Sequence, residues 1–442
     1  MGAASVEAEG VVGEIEGFLQ TMLAEMPAEA GGLGRPRILP ALALWGGLLV
    51  CVLRGFSHVT SVWRLLAARQ LWFYPRFPVS DEAVYRRLAR AGTAPLAALL
   101  EQVRDVLTTR LAPYADQTLA PFATEVVALD ETTLDAVARR LPTLRDAPPG
   151  DARLLPGKLA AAFDLRRQLW QRVIHQPDPH QNERVLARTL VDALPARSLV
   201  VADLGYFGFA WFDDLTARGL FWLSRLRAKT SYTRIHTFYQ QGDTLDALVW
   251  LGAYRTDQAR FAVRLVQFRT HRGLHTYLTN VVDPARFPPH ALARVYARRW
   301  DIELAFDLIK THLGLHLLWA CKPVVVAQQV WAVLIISQIL HALRLEIAGR
   351  AAVDPFEVSL ALLVEYLPRW ATDGDDPVAL IVTRGRALGF IRPSTRTRSD
   401  APHIPRDHLI PLPPDTSLER TPHYAHRRCL PRTPPSPAHS LQ

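Results

Sequence analysis

Cysteine is scarce in this chain. Cys51, Cys321 and Cys429 are the three in 442 residues, and they lie far apart. They show neither zinc-ligand spacing nor an even-numbered framework, so a reducing compartment is expected, with no disulfide and no structural zinc. A basic stretch followed by an apolar run is missing from the start. Met1 to Glu29 is acidic, so no secretory signal is expected. An uninterrupted membrane-length apolar run is missing too. Ile38 to Leu53 is strongly apolar but short, and it carries Pro40 and two central glycines, which fits a buried core helix better than a span. Val324 to Leu343 is interrupted by Gln328, Gln329, Ser337, Gln338 and His341, at positions a lipid-facing helix would avoid. These absences point to a protein of the cytosol.

Acidic residues are also outnumbered, 42 Asp and Glu against 51 Lys and Arg, for a net charge of +9. The sequence pI of about 9.7 favours an anionic partner, either nucleic acid or an anionic membrane surface, and charge alone does not choose. The length of 442 residues calls for two or three structural units.

Up to about residue 118 the signals are helical, with 3.6-type apolar spacing and breakers near Gly55, Pro75 and Pro78. In VSDEAVYRRLARAG, Ser80 and Asp81 can cap a helix with Val84, Leu88 and Ala91 inward and Arg86, Arg87 and Arg90 outward. Such a helix suits either DNA or solvent. From Glu125 short apolar runs take over: TEVVALD, GKLAAAFDL, LWQRVIH, SLVVADLG and GLFWLSRLR, with the amphipathic HQNERVLARTLVDAL between the third and fourth. Three closely spaced strands, a helix and two further strands describe an α/β sheet with mixed pairing. Residues 228–287 form a second β-rich block that reads as an insertion, and its Trp250 reads as a core residue. Helical periodicity returns over Pro289–His316, Val324 to about Ala348, and Phe356–Trp370. The expected units are an N-terminal helical domain (1–118), the two parts of a core (119–227 and 288–391), the insertion between them, and a disordered basic tail (392–442).

Asp130 follows VVAL and Asp203 follows LVVA, which puts each carboxylate at the C-terminal end of an expected buried strand. Catalytic groups of open α/β sheets collect at such ends, although an aspartate there also caps ordinary turns. The third element is the helix in RVYARRWDIELAFDLIKTHLG. At about 100° per residue, Tyr296, Arg299, Glu303 and Lys310 fall within an arc of roughly 60°. Ile302, Phe306, Ile309 and Leu313 cluster on an adjoining face, so burying that face leaves the polar stripe at the edge of the core. A solvated helix with an Arg299–Glu303 pair has the same spacing. Three converging carboxylates suit magnesium, which prefers hard oxygen ligands, and two such ions about 4 Å apart serve in-line displacement at phosphorus. Mn2+ is able to substitute. Arg299 and Lys310 are then placed to hold phosphates, and Tyr296 supplies a hydroxyl or an aromatic face.

In these motifs the sequence resembles the DDE transposases of bacterial insertion sequences, specifically the insertion sequence 4 group. That group's helix signature is Tyr, two residues, Arg, three residues, Glu, six residues, Lys, and Tyr296, Arg299, Glu303 and Lys310 match it without a gap. LDETTLD is similar to the group's first Asp context, with Glu131 in place of a small residue. VVADLGYF is similar to the second through Asp203, Gly205 and Tyr206. The resemblance covers roughly Ala128 to Leu315 and implies an RNase H-like mixed sheet with flanking helices, interrupted by a β-rich insertion. It implies Asp130, Asp203 and Glu303 as catalytic metal ligands, and Tyr296, Arg299 and Lys310 at DNA. It further implies cut-and-paste transposition through strand nicking, hairpin formation and opening, and target joining. The partners implied are double-stranded terminal inverted repeats and target DNA, bound by a homodimer at the nucleoid. Glu131 must point away from Asp130 or bind metal. Two other readings remain open: a non-catalytic DNA-binding protein descended from a transposase, and a metal-dependent nuclease that cuts without joining.

Overall fold

A computed structural model of the protein describes residues 11–26, 38–134, 157–178, 181, 183–253, 257–315, 318–320, 322–370, 376–394, 396 and 400–424. The expectations for Cys321, Cys429 and the stretch beyond residue 424 lie outside the described residues. Helices come first: α1 (Val11–Ala24), α2 (Ala41–Leu53), α3 (Val59–Ala68), α4 (Asp81–Ala91) and α5 (Ala94–Arg110). Helix α4 starts where its sequence dictates. Ser80 Oγ accepts the Ala83 N–H at 3.2 Å, Val84 and Leu88 are buried, and Arg86 and Arg90 face solvent. Helix α2 is buried from Ala43 through Leu53.

The sheet begins with β1 (Val126–Thr133), β2 (Lys158–Asp164) and β3 (Leu169–Gln176), paired antiparallel. Helix α6 (Glu183–Val191) leads to β4 (Leu199–Ala202), and α7 (Phe209–Ala217) leads to β5 (Phe221–Arg225). Strands β1, β4 and β5 run parallel. The mixed α/β architecture is therefore the one the apolar runs describe. Four more strands follow: β6 (Tyr232–Gln241), β7 (Thr244–Leu251), β8 (Val263–Thr270) and β9 (Gly273–Thr279). They do not form a separate sheet. β9 lies antiparallel against β5, so one nine-stranded sheet runs β3-β2-β1-β4-β5-β9-β8-β7-β6. Without β9 the edge of β5 would present unpaired backbone groups, and the meander returns to cover it.

Helices α8 (Pro289–Arg298) and α9 (Asp301–Asp307), α10 (Pro323–Arg350), α11 (Leu360–Trp370) and α12 (Pro377–Arg384) complete the chain's regular elements among the described residues. One apolar cluster joins side chains of α1–α5, one face of the sheet and α8–α12. The N-terminal helices thus share a core with the sheet. The opposite face of the sheet is covered by α6 and α7. Helix α10 is long and apolar enough to cross a membrane, but its most apolar window is 83% buried inside the protein. Three of its buried polar residues are bonded to what surrounds them. Gln328 donates to the Leu88 and Gly92 carbonyls, Ser337 Oγ accepts the Trp170 indole N–H at 2.9 Å, and Gln338 accepts the Trp170 backbone N–H at 2.8 Å.

The composition of the tail predicts disorder from Arg392 onward, and residues 400–424 overturn this. Backbone bridges join Gln258 to His423 and Phe261 to Glu419, and the Ile410 N–H donates to the Phe238 carbonyl at 2.8 Å. Three side chains anchor the strap further. The Tyr424 hydroxyl donates to Asp213 at 2.8 Å, Arg420 donates to the Leu251 and Ala259 carbonyls, and Ile404 is buried. A segment too polar to build its own core is held by a surface already built. Trp250 is half-buried beneath it, with the Arg420 guanidinium 4.7 Å from its ring centroid.

Candidate active site

In the parallel register of β1 and β4, Leu129 stands opposite Ala202, the last residue of β4. The next residues along both chains are Asp130 and Asp203, side by side at the end of the parallel ladder. The strand-end expectation holds for Asp203 but needs correction for Asp130. β1 runs on to Thr133 because β2 continues to pair with it, so Asp130 is at the end of only one of the two ladders. Side chains alternate along β1: Val126 and Ala128 enter the core shared with α8–α10, Val127 and Leu129 the opposite one. Asp130 therefore faces α9, and Glu131 faces away. Lys158 of β2 pairs with Glu131 there, Nζ to Oε2 at 2.6 Å with both side chains nearly buried. The extra carboxylate beside Asp130 is thus engaged on the other face of the sheet.

One oxygen of each aspartate is taken locally. Asp130 Oδ1 accepts the Glu131 N–H at 2.8 Å, and Asp203 Oδ1 accepts the Gly205 N–H at 2.7 Å. Asp203 does act as a turn cap, then, while still lying at the strand end.

The third group comes from α8 and α9, which are not one regular helix. α8 ends at Arg298, a short break falls at Arg299 and Trp300, and α9 leads into a π-helical turn over Leu308–His312. The Leu313 N–H reaches back to the Leu308 carbonyl at 2.9 Å, an i→i+5 closure. The constant pitch assumed for the polar stripe does not carry across that turn to Lys310. Ile302, Ala305, Phe306 and Ile309 seat this segment on the core, with Tyr296 8% exposed and Arg299 6% exposed at its edge. Arg299 lies between the carboxylates. It donates to Glu303 at 2.7 Å and stands 4.0 Å from Asp130. The i,i+4 ion pair therefore forms, and it forms beside Asp130.

These groups feel one another. Burial pushes the Asp130 carboxyl up to about 6; Arg299 opposes this, and the charges of Asp203 and Glu303 add to it. Tyr296 packs 5.0 Å from the Tyr277 ring, and burial pushes its hydroxyl up to about 12. Trp300, passed over in the sequence, is 52% exposed with Arg299 4.9 Å from its ring. Lys158 was passed over as well, since only the strand register reveals it.

Among the described residues no three His, Cys, Asp or Glu side chains stand close enough together to hold one ion as they are placed. The donor chemistry nevertheless fits a hard divalent cation. Asp130, Asp203 and Glu303 are mutually repelling oxygen donors, and the Arg299 guanidinium already supplies positive charge among them.

Comparison with known proteins finds a family match and two partial relatives. Residues 121–339 match the family described as Transposase DDE domain. The chain is 29% identical over 168 residues to the transposase InsG of insertion sequence element IS4 from Escherichia coli (strain K12), covering 35% of this chain and 36% of that protein. It is 24% identical over 177 residues to the putative transposase y4zB of Sinorhizobium fredii (strain NBRC 101917 / NGR234), covering 38% and 49%. The matches thus span less than half the length of either relative. Among solved structures, a piggyBac transposase synaptic complex with hairpin DNA overlaps 85% of this chain and 79% of its own, at 9% identity and a TM-score of 0.39.

Proposed function

We propose, on the premise that this chain belongs to the DDE transposases of the insertion sequence 4 type, that it moves DNA by cutting and rejoining it at Asp130, Asp203 and Glu303. The observation that carries the reading is the meeting of two neighbouring aspartates, at the end of the parallel β1–β4 ladder, with the Arg299–Glu303 pair. The order β3-β2-β1-β4-β5, with β2 alone antiparallel to the central strands, supports an RNase H-like core, and β6–β9 supply the β-rich insertion.

The three carboxylates would hold two Mg2+ ions. Bound there, these would activate the attacking oxygen and stabilise the leaving one. The chain's own residues do the rest. Asp203 and Asp130 are fixed by backbone N–H groups, so their second oxygens are presented in set directions. Arg299, once released from Glu303, presents a two-pronged donor to a strand phosphate. Lys310 adds a point charge further along the same segment, and Tyr296 packs beside the reacting end. The substrate is a double-stranded terminal inverted repeat, processed by nicking, hairpin formation and strand transfer to target DNA, with two ends held by a dimer.

The test is a gel assay of nicked, hairpin and joined products in magnesium beside a binding assay in calcium. Glu303→Gln, Asp130→Asn and Asp203→Asn should lose nicking and keep most DNA binding. Arg299→Ala and Lys310→Ala should weaken end binding or hairpin formation instead. Normal cleavage by Glu303→Gln overturns the assignment, and nicking without any joined product favours a nuclease.

A further inference from the structure

Beside α9 lies a cleft of about 400 Å³. Its walls include Leu304 and His312 of the α9 segment, Arg344 of α10, Phe356 and Arg396. Three guanidinium groups surround the Phe356 ring: Arg298 at 4.6 Å, Arg396 at 5.0 Å and Arg344 at 5.1 Å from its centroid. Arg298 and Arg344 are each 3% exposed. Among the described residues one buried carboxylate, Asp301, 1% exposed, stands against these three cations. Its Oδ2 is committed to Arg298 Nε at 2.6 Å and Gln168 Nε2 at 2.9 Å, and its Oδ1 lies 3.9 Å from Arg396 Nε.

Arg344 is the group left short. It donates to Gln168 Oε1 at 2.7 Å, but its Nε is buried with no hydrogen-bond partner among the described residues. Burial pulls the Arg344 guanidinium down to about 10; Asp301 and Asp354 oppose this, and Arg298 and Arg396 add to it. Asp116 stands 4.0 Å from Arg298 but is bonded to Arg294 at 2.8 Å, and the other acids nearby do not settle the imbalance. Asp354 accepts the Phe356 N–H at 2.9 Å, and Asp307 is exposed and accepts the Thr311 hydroxyl at 2.7 Å. Aromatic faces soften such a cluster without neutralising it. Arg344 and Arg396 both line the open volume, and an anion placed between them offsets the surplus of positive charge.

We propose that this cleft binds a phosphate group between Arg344 and Arg396. Phosphate is the anion that planar guanidinium forks match best. The phosphate is either a backbone phosphodiester of bound DNA or a free inorganic phosphate. The first source rests on the function proposed above, because Leu304 of the cleft wall is next to Glu303 in the chain and Arg396 is close enough to feel the Glu303 charge. The second source does not.

The experiment uses the full chain and three proteins: wild type, Arg396→Gln at the 28% exposed rim, and Arg269→Gln as an exposed arginine elsewhere. Arg344 is left intact because its bond to Gln168 is part of the core. Inorganic phosphate binding is measured by calorimetry at constant ionic strength, and duplex DNA binding in calcium by a separate titration. Wild type and Arg269→Gln should bind alike, with Arg396→Gln about tenfold weaker for at least one ligand. Weakening for DNA identifies the backbone source, and weakening for phosphate alone identifies the free ion. If Arg396→Gln matches Arg269→Gln for both ligands, the cleft is not a phosphate site. Phosphate binding through Arg396 in a protein that never nicks DNA would refute the transposition reading and leave the cleft intact.

Discussion

Replacing Asp130 by Asn should make the protein more stable at neutral pH while it abolishes nicking. The Asp130 carboxyl is raised from 3.8 to about 6, chiefly by burial. Well below pH 3.8 the group is protonated whether the chain is folded or not, and even at pH 4 it contributes only a small difference. Above about pH 6 it is ionised in both states, and the folded protein bears the full cost of a buried, poorly paired charge. Stability from this group is therefore lost as pH rises through that window. The loss corresponds to about 3 kcal/mol at 1.36 kcal/mol per pKa unit. Asn does not titrate and keeps an acceptor oxygen for the Glu131 N–H, so the variant should escape most of that loss. The lost attraction to Arg299, 4.0 Å away, reduces the gain somewhat. Urea unfolding of both proteins at pH 4 and pH 7 measures it. The two should be close at pH 4, with the variant ahead by about 2 kcal/mol or more at pH 7. Magnesium at millimolar concentration should then stabilise the wild type more than the variant, because a ligand that binds only the folded state adds stability by mass action. A variant that is less stable than wild type at pH 7 would refute the argument from burial.

The remaining predictions concern how the site is carried. Asp246→Ala strands the fully buried Arg264, whose guanidinium is held by Asp246 at 2.6 and 2.7 Å; the urea midpoint should fall by an amount equivalent to about 3–5 kcal/mol. Lys158→Met removes the ion-pair partner of the nearly buried Glu131 and should destabilise strongly, whereas Lys158→Met with Glu131→Leu should recover most of the loss in a double-mutant cycle. Tyr424→Phe removes the hydroxyl bonded to Asp213 and should cost about 1 kcal/mol, seen as faster trypsin cleavage within 400–424; an unchanged cleavage rate would mean that the backbone bridges alone hold the strap.

What could be read from the sequence was whatever local pattern controls. β2, β4 and the first half of β1 show as apolar runs because both faces of those strands are buried, and the α4 cap shows because Ser80 precedes an amphipathic turn. Helix α7 was missed because Phe209, Trp211 and Phe212 sit among charged residues without a clear period. The π turn was invisible because a helical wheel assumes one pitch throughout. The strap was misjudged because composition counts what a segment can bury by itself, whereas Arg420 and Tyr424 borrow partners from β7 and α7. Of the site, the types and spacing of Asp130, Asp203, Arg299 and Glu303 were legible. Their adjacency depends on the register of β1 against β4, and the arginines around Phe356 come from three distant stretches of chain.

Helix α10 has a consequence for how the protein is made. It packs against α2, α4, α5, β3, α11 and α12, and it supplies the partners for Trp170 in β3. A growing polypeptide leaves the ribosome from its N-terminus, so everything up to β9 emerges before the helix that fills the middle. During that interval the apolar side of the sheet and the inner sides of α2 and α5 have no lid. Such long-range closure is slow, and the waiting surfaces are of the kind that stick to other chains or to chaperones. Nascent chains stopped short of residue 323 should be aggregation-prone, while those extended past residue 350 gain solubility abruptly. Soluble yield against chain length would then rise in one step, at a position set by a helix that touches none of the reacting atoms.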